Sequence, residues 1–267
     1  MNYRGFTSHK HSRLGLCAAI TISFAVSLFA FIVLPLAATP AQEAAPPNAS
    51  PETIHYDSGG FNIDALVAKP AGGGTHPAIL VIHDSQGLDD SIRKVAKQFA
   101  NTGFIVLAPD FTSRLGGTRT SGQMAQAVGQ LSPNLSVQDA RAAFAYLQKD
   151  PEVDAAKIST VGYGWGGWRS FMLAVSVPEL YRAVVYCGST PSQSFDAVHA
   201  PVLAHYAQYD FRVTGNALLT EKAMTGAGKK FTYFVYPKVY RGFYDPDMQY
   251  DAAADHLAWM RTLDFLK

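Results

Sequence analysis

Cysteine is scarce: the chain has two in 267 residues, Cys17 and Cys187. Two thiols cannot build a disulfide framework or a cysteine zinc cage. Neither sign of charge is in excess, with 22 basic and 21 acidic residues. Nothing resembles an electrostatic footprint for nucleic acid, so none is expected as a partner. No internal repeat stands out, and no spacing of His, Cys, Asp and Glu matches a metal-binding motif. The expectation is therefore no metal and no cofactor. What is present is an ordinary globular balance, 48% hydrophobic and 16% charged. That excludes disorder, collagen-like repeats and coiled coils.

Acid is missing altogether from residues 1–41, which hold Arg4, Lys10 and Arg13. Subtracting those three leaves 19 basic residues against 21 acidic in the remainder. Leu14 to Ala38 has no charged residue and leads into Thr39-Pro40-Ala41. A basic start, an apolar stretch and small residues predict a signal peptide over 1–41, cleaved after Ala41. The body is then exported, periplasmic or secreted. The apolar stretch is also long enough to span a bilayer. Membrane association is expected only if it stays uncleaved. Residues 42–52 are rich in Ala and Pro and read as a linker.

Residues 53–267 suit one α/β domain. Thr53–Tyr56 and Phe61–Ala68 flank Ser58-Gly59-Gly60 and predict a hairpin. Ala78–His83 is a continuous apolar run, as in a strand buried on both faces. Asp89-Asp90 cap a helix with Ile92, Val95, Ala96, Phe99 and Ala100 on one face, ended by Gly103. Phe104–Ala108, Ile158–Val161, Ala183–Cys187, Val202–Tyr206 and Phe231–Tyr236 are further strands. Helices are predicted near Gln123–Gln130, after a cap at Ser136, near Ala217–Ala227 and over Ala252–Leu266. Such alternation means a mostly parallel sheet with helices on both faces. Ligands on such a sheet sit beyond the C-terminal ends of its strands.

Those ends carry recurrent punctuation. They read Val81-Ile82-His83-Asp84-Ser85-Gln86-Gly87, Ala108-Pro109-Asp110-Phe111-Thr112-Ser113-Arg114 and Val161-Gly162-Tyr163-Gly164-Trp165-Gly166-Gly167. Later come Tyr206-Ala207-Gln208-Tyr209-Asp210 and Tyr236-Pro237-Lys238-Val239-Tyr240-Arg241-Gly242-Phe243. In this order and spacing they resemble the dienelactone hydrolase family, from about Thr53 to the end. The resemblance implies an α/β-hydrolase fold and a Cys-His-Asp triad acting on small carboxylated esters and lactones. Asp210 falls at the triad acid. Asp84 falls where the family has a glutamate that meets the nucleophile, and Arg114 at an arginine that holds the substrate carboxylate. The nucleophile position is Gly164 and the histidine position is Arg241.

Glycine offers no nucleophilic atom, and arginine stays protonated and cannot collect a proton. The expectation is a family member that keeps the triad acid, has lost the nucleophile and the histidine, and binds a small anionic, carboxylate-bearing molecule. The amides of Trp165 and Ser85 would form its oxyanion hole, Gly164 would leave extra room, and Arg241 and Arg114 would supply charge. Alternatively, Arg241 pairs internally with Asp210 or Asp84 and fills a vacated site. Cys187 could be a displaced nucleophile or a buried small apolar residue. Ser85 and Ser170 are further hydroxyls near the site, and His83 and His205 read as satisfied core histidines. A third alternative is an interaction protein that keeps only the fold.

Overall fold

A computed structural model describes residues 51–118, 123–192 and 194–267. The signal peptide and nearly all of the linker lie outside the described residues. Eight strands form one sheet: β1 (Glu52–Asp57), β2 (Asn62–Ala68), β3 (His76–Ile82), β4 (Ile105–Pro109), β5 (Val153–Tyr163), β6 (Ala183–Tyr186), β7 (Val202–Ala207) and β8 (Phe231–Tyr236). Their spatial order is β1-β2-β4-β3-β5-β6-β7-β8. The β1–β2 and β2–β4 pairs are antiparallel, and every other neighbouring pair is parallel. This is the α/β-hydrolase arrangement that the family resemblance implies, and its mostly parallel sheet is what the strand–helix alternation predicts.

The apolar run Ala78–Ile82 is fully shielded because β3 lies between β4 and β5 with helices on both faces. Burying each of Ile79, Leu80 and Ile82 contributes about 1.5–3 kcal/mol. Among the described residues seven α-helices connect or follow the strands: α1 (Asp90–Asn101), α2 (Met124–Gln130), α3 (Pro133–Lys149), α4 (Trp165–Ser176), α5 (Phe211–Thr214), α6 (Ala217–Gly226) and α7 (Ala252–Leu266). One core layer joins α3, α4 and α6 to the sheet through Phe144, Phe171 and Met224. The other joins α1 and α7 through Phe99, Ala258 and Leu266. α1 is capped by Asp89, whose side chain accepts from the Ile92 amide.

One helix start needs correction. Ser136 does not cap α3. The cap is Ser132, with Pro133 in the first turn, where a missing N–H costs nothing. Ser136 is buried inside the helix, and its hydroxyl donates to the Pro133 carbonyl.

Candidate functional site

The sharp turn from β5 into α4 sits at the C-terminal edge of the sheet. Gly164 is its pivot, with φ of 47° and ψ of −103°, a conformation that L side chains rarely adopt. Its amide donates to the Tyr186 carbonyl at the end of β6. Gly166 lets the first turn of α4 press against β3. A Cβ there would overlap the carbonyl oxygens of Ile82 and His83. The elbow geometry is therefore present, with its pivot bare.

The space over that pivot is not empty. A Cβ built on Gly164 would overlap all three atoms of the Asp84 carboxyl group. The room expected above Gly164 is thus already taken. Asp84 Oδ1 accepts from its neighbour's amide, Ser85 N, at 2.7 Å and from Trp165 N at 2.8 Å. These are the two amides expected to form the oxyanion hole. They do converge, and what they hold is the protein's own carboxylate. Asp84 Oδ2 accepts from the Tyr244 hydroxyl at 2.8 Å. Burial, then the Asp84 charge, pushes the Tyr244 pKa well up, so the hydroxyl remains a donor.

Arg241 lies between the two acids. Its Nη2 is 3.6 Å from Asp84 Oδ1, and its Nη1 is 3.9 Å from Asp210 Oδ2. Burial pulls the Arg241 pKa down, but Asp84, Tyr244 and Asp210 outweigh it and hold it above its ordinary value. Internal pairing of Arg241 is therefore what the geometry displays, and it reaches both acids at once. The pairing is loose. Asp210 Oδ2 is buried and has no hydrogen-bond partner among the described residues. In the triad that the family resemblance implies, the acid receives an imidazole N–H. Arginine at this distance supplies charge without that bond.

Beyond this pair opens a cleft of about 580 Å³, bounded in part by Asp84, Ser85, Trp165, Arg169, Arg212 and Arg241. Arg169 is 6% exposed. Its Nε donates to Ser136 Oγ and its Nη1 to the Trp165 carbonyl, each at 3.0 Å. The guanidinium lies 3.4 Å from the centre of the Trp165 ring. Among the described residues no carboxylate comes within ion-pair distance of it, and burial lowers its pKa to about 9. Three guanidiniums therefore border the cleft, against one carboxylate, Asp84.

Arg114 is not among them. It makes a two-pronged pair with Asp139 on α3, Nε to Oδ2 at 3.0 Å and Nη2 to Oδ1 at 2.8 Å. It also donates to the Ser58 carbonyl and lies over the Phe61 ring. The structure thus ties Arg114 to the β1–β2 hairpin and α3, away from the cleft residues. Asp139 is buried and takes both the Nε and an Nη of the guanidinium in planar, two-pronged geometry.

Cys187 follows β6 with φ of 48° and is 1% exposed. It does not line the cleft. Burial, then the charge of Asp210, pushes its thiol up to about 12, so it stays protonated. Ser170 is buried and bonded to Thr160 and the Val184 carbonyl. His83 Nδ1 bonds the Asp84 carbonyl, and Nε2 accepts from the Phe111 amide. His205 bonds Tyr236 and Thr262, and burial lowers it to about 3. Both histidines are satisfied within the core. Sequence reading missed Tyr244, Arg169 and Arg212. Tyr244 directly follows the Arg241-Gly242-Phe243 segment, and Arg169 is one helical turn past Trp165, two signals that were open to use.

The sequence profile of the dienelactone hydrolase family matches residues 63–267. The chain belongs to the dienelactone hydrolase family. A protein of Methylorubrum extorquens named "Putative carboxymethylenebutenolidase" is 29% identical over 224 residues, covering 77% of this chain and 76% of that protein. A like-named protein of Saccharolobus solfataricus is 25% identical over 255 residues, covering 80% and 97%. Among solved structures, a dienelactone hydrolase-like promiscuous phosphotriesterase from metagenomic libraries superposes with a TM-score of 0.73 at 20% identity. It covers 82% of this chain and 98% of its own. At that identity the likeness speaks for the fold. The α/β-hydrolase fold and the family membership agree with the motif order along the chain.

Proposed function

We propose that this dienelactone hydrolase family member is exported and binds a small carboxylate-bearing ligand without turning it over. One observation carries the catalytic half of this reading. The carboxylate of Asp84 occupies both amides of the oxyanion hole and the space a nucleophile would need. An ester carbonyl cannot be polarised by donors already given to an anion. With glycine at the nucleophile position and Arg241 at the base, no acyl-enzyme can form and no proton can be collected. Loss of nucleophile and base in a hydrolase of this kind costs on the order of 10⁶ in turnover. The ligand half rests on the three arginines bordering the cleft, with Arg169 lacking a carboxylate partner among the described residues and Arg241 only loosely paired.

Purified protein tested on small activated esters and lactones should hydrolyse them near background. Robust turnover would overturn the reading, and its loss in Cys187→Ser would revive the displaced nucleophile. Calorimetry with small mono- and dicarboxylates should give binding that Arg241→Ala and Arg212→Ala each weaken. N-terminal sequencing of the exported protein should begin at Gln42. A second reading, an interaction protein that keeps only the fold, has one feature in its favour. Phe211 on α5 and Leu218 and Leu219 on α6 are large apolar side chains exposed on consecutive helices. It becomes the better reading if no carboxylate binds.

A further inference from the structure

A second cleft, of about 510 Å³, opens between α1 and α7. Its lining shares no residue with that of the arginine-bordered cleft. Its α7 side is aromatic, with Tyr250 and Trp259 over the buried rings of Tyr163, Tyr186 and Tyr244, and its α1 side carries Val95, Gln98, Asn101 and Thr102. The three buried rings form one cluster, with centroids 4.7 Å apart for Tyr163–Tyr186, 5.1 Å for Tyr163–Tyr244 and 5.7 Å for Tyr186–Tyr244. Among the described residues no lysine or arginine lines it, and its one carboxylate is Asp255, in the first turn of α7. Among those residues that carboxylate is poorly served: its one side-chain hydrogen bond comes from Tyr250 at 3.4 Å. His256, the other ionisable group besides the tyrosines, is exposed on α7.

We propose that this cleft is a binding site for a small organic cation of the methylated ammonium class, held by Asp255 and the tyrosine-tryptophan wall. The volume is that of a small-molecule site. A half-buried carboxylate with a single long bond favours a cationic partner and repels an anionic one. Aromatic rings carry negative charge on their faces and attract cations, while a methylated ammonium presents apolar methyl groups and few donors. A neutral ligand would leave Asp255 without a counter-charge. The two clefts share no lining residue, although Tyr244 of this wall donates to Asp84 of the other, and the proposal stands whether or not the arginine-bordered cleft binds carboxylates.

The test is calorimetric titration of the full protein at pH 8 with choline, with tetramethylammonium and with 3,3-dimethylbutan-1-ol, the uncharged isostere of choline. Both cations should bind, choline about tenfold or more tighter than the alcohol. Asp255→Asn should lower choline affinity by about tenfold and leave the alcohol unchanged. Tyr250→Leu, at an exposed position, should weaken both cations by about threefold. Arg212→Ala, in the other cleft and without contact to Tyr244, should leave choline binding unchanged. Absence of cation binding, or equal binding of choline and the alcohol, would overturn the proposal. So would choline affinity untouched by either Asp255→Asn or Tyr250→Leu.

Discussion

The carboxyl group of Asp84 lies where a side chain on Gly164 would begin. The two positions are 80 residues apart in the chain, yet neither can be changed alone. With Asp84 in place, any side chain at Gly164 meets the carboxyl and also requires a left-handed backbone. With Gly164 in place, removing Asp84 leaves the amides of Ser85 and Trp165 without their acceptor and Arg241 without one of its two acids.

Gly164→Ala should therefore destabilise the protein by about 2–4 kcal/mol, combining overpacking with backbone strain. In an Asp84→Gly background the same change should cost about 1–2 kcal/mol less, because the steric part is gone. A double-mutant cycle by urea denaturation measures the coupling. Additive costs would mean that the two positions do not share this space.

Arg114 gives the opposite lesson about position and role. Family correspondence puts it at a substrate carboxylate, whereas here it serves Asp139. Asp139 is 1% exposed and also accepts from Ser58 Oγ at 2.6 Å. Arg114→Ala should destabilise by about 3 kcal/mol, since it strips a buried carboxylate of its cation. It should leave carboxylate binding in the arginine-bordered cleft unchanged. Thermal melts and calorimetry on the same variant separate the two effects.

Much of the fold was legible because its signals are local. The apolar runs of β3 and β4, the Ser58-Gly59-Gly60 turn and the periodicity of α1 each need only a few neighbouring residues. The start of α3 was misread because Ser132 and Ser136 both precede apolar positions, and only Pro133 distinguishes them. The site was legible in its backbone and less so in its partners. Gly164, Asp84, Ser85 and Trp165 lie at the elbow as their motifs imply. The choice that Arg114 makes between a ligand and Asp139 depends on how α3 packs against the hairpin. Tyr244 reaches Asp84 across 160 residues, and no spacing rule connects them.

The buried thiol of Cys187 should resist alkylation in the native protein. Its pKa, raised by burial and then by Asp210, leaves almost no thiolate at neutral pH, and 1% exposure denies access. Iodoacetamide labelling followed by peptide mapping should show reaction at Cys187 only in denaturant. Rapid native labelling would place the thiol at the surface and reopen a nucleophilic role.

Asp255 sets a pH dependence with a definite sign. Its carboxyl is pushed up from 3.8 to about 6, chiefly by desolvation, with Tyr250 and His256 working the other way. The other ionisable groups affected by its charge are Tyr163, Tyr186 and Tyr236, all of which remain protonated in this range. Between those two pH values the folded state binds more protons than the unfolded state. Stability contributed by this group therefore falls as pH rises from about 4 to 6 and stays lower above. Discounted for the carboxyl's remaining contact with water, the loss is ~1–2 kcal/mol. Asp255→Asn should stabilise the protein by that amount at pH 7.5 and by nearly nothing at pH 4, as read from urea midpoints at the two values. A variant equally stabilised at both would trace the gain to packing. A variant with no gain at pH 7.5 would mean that the carboxylate is already well paired, and that the cleft between α1 and α7 has no need of a cation.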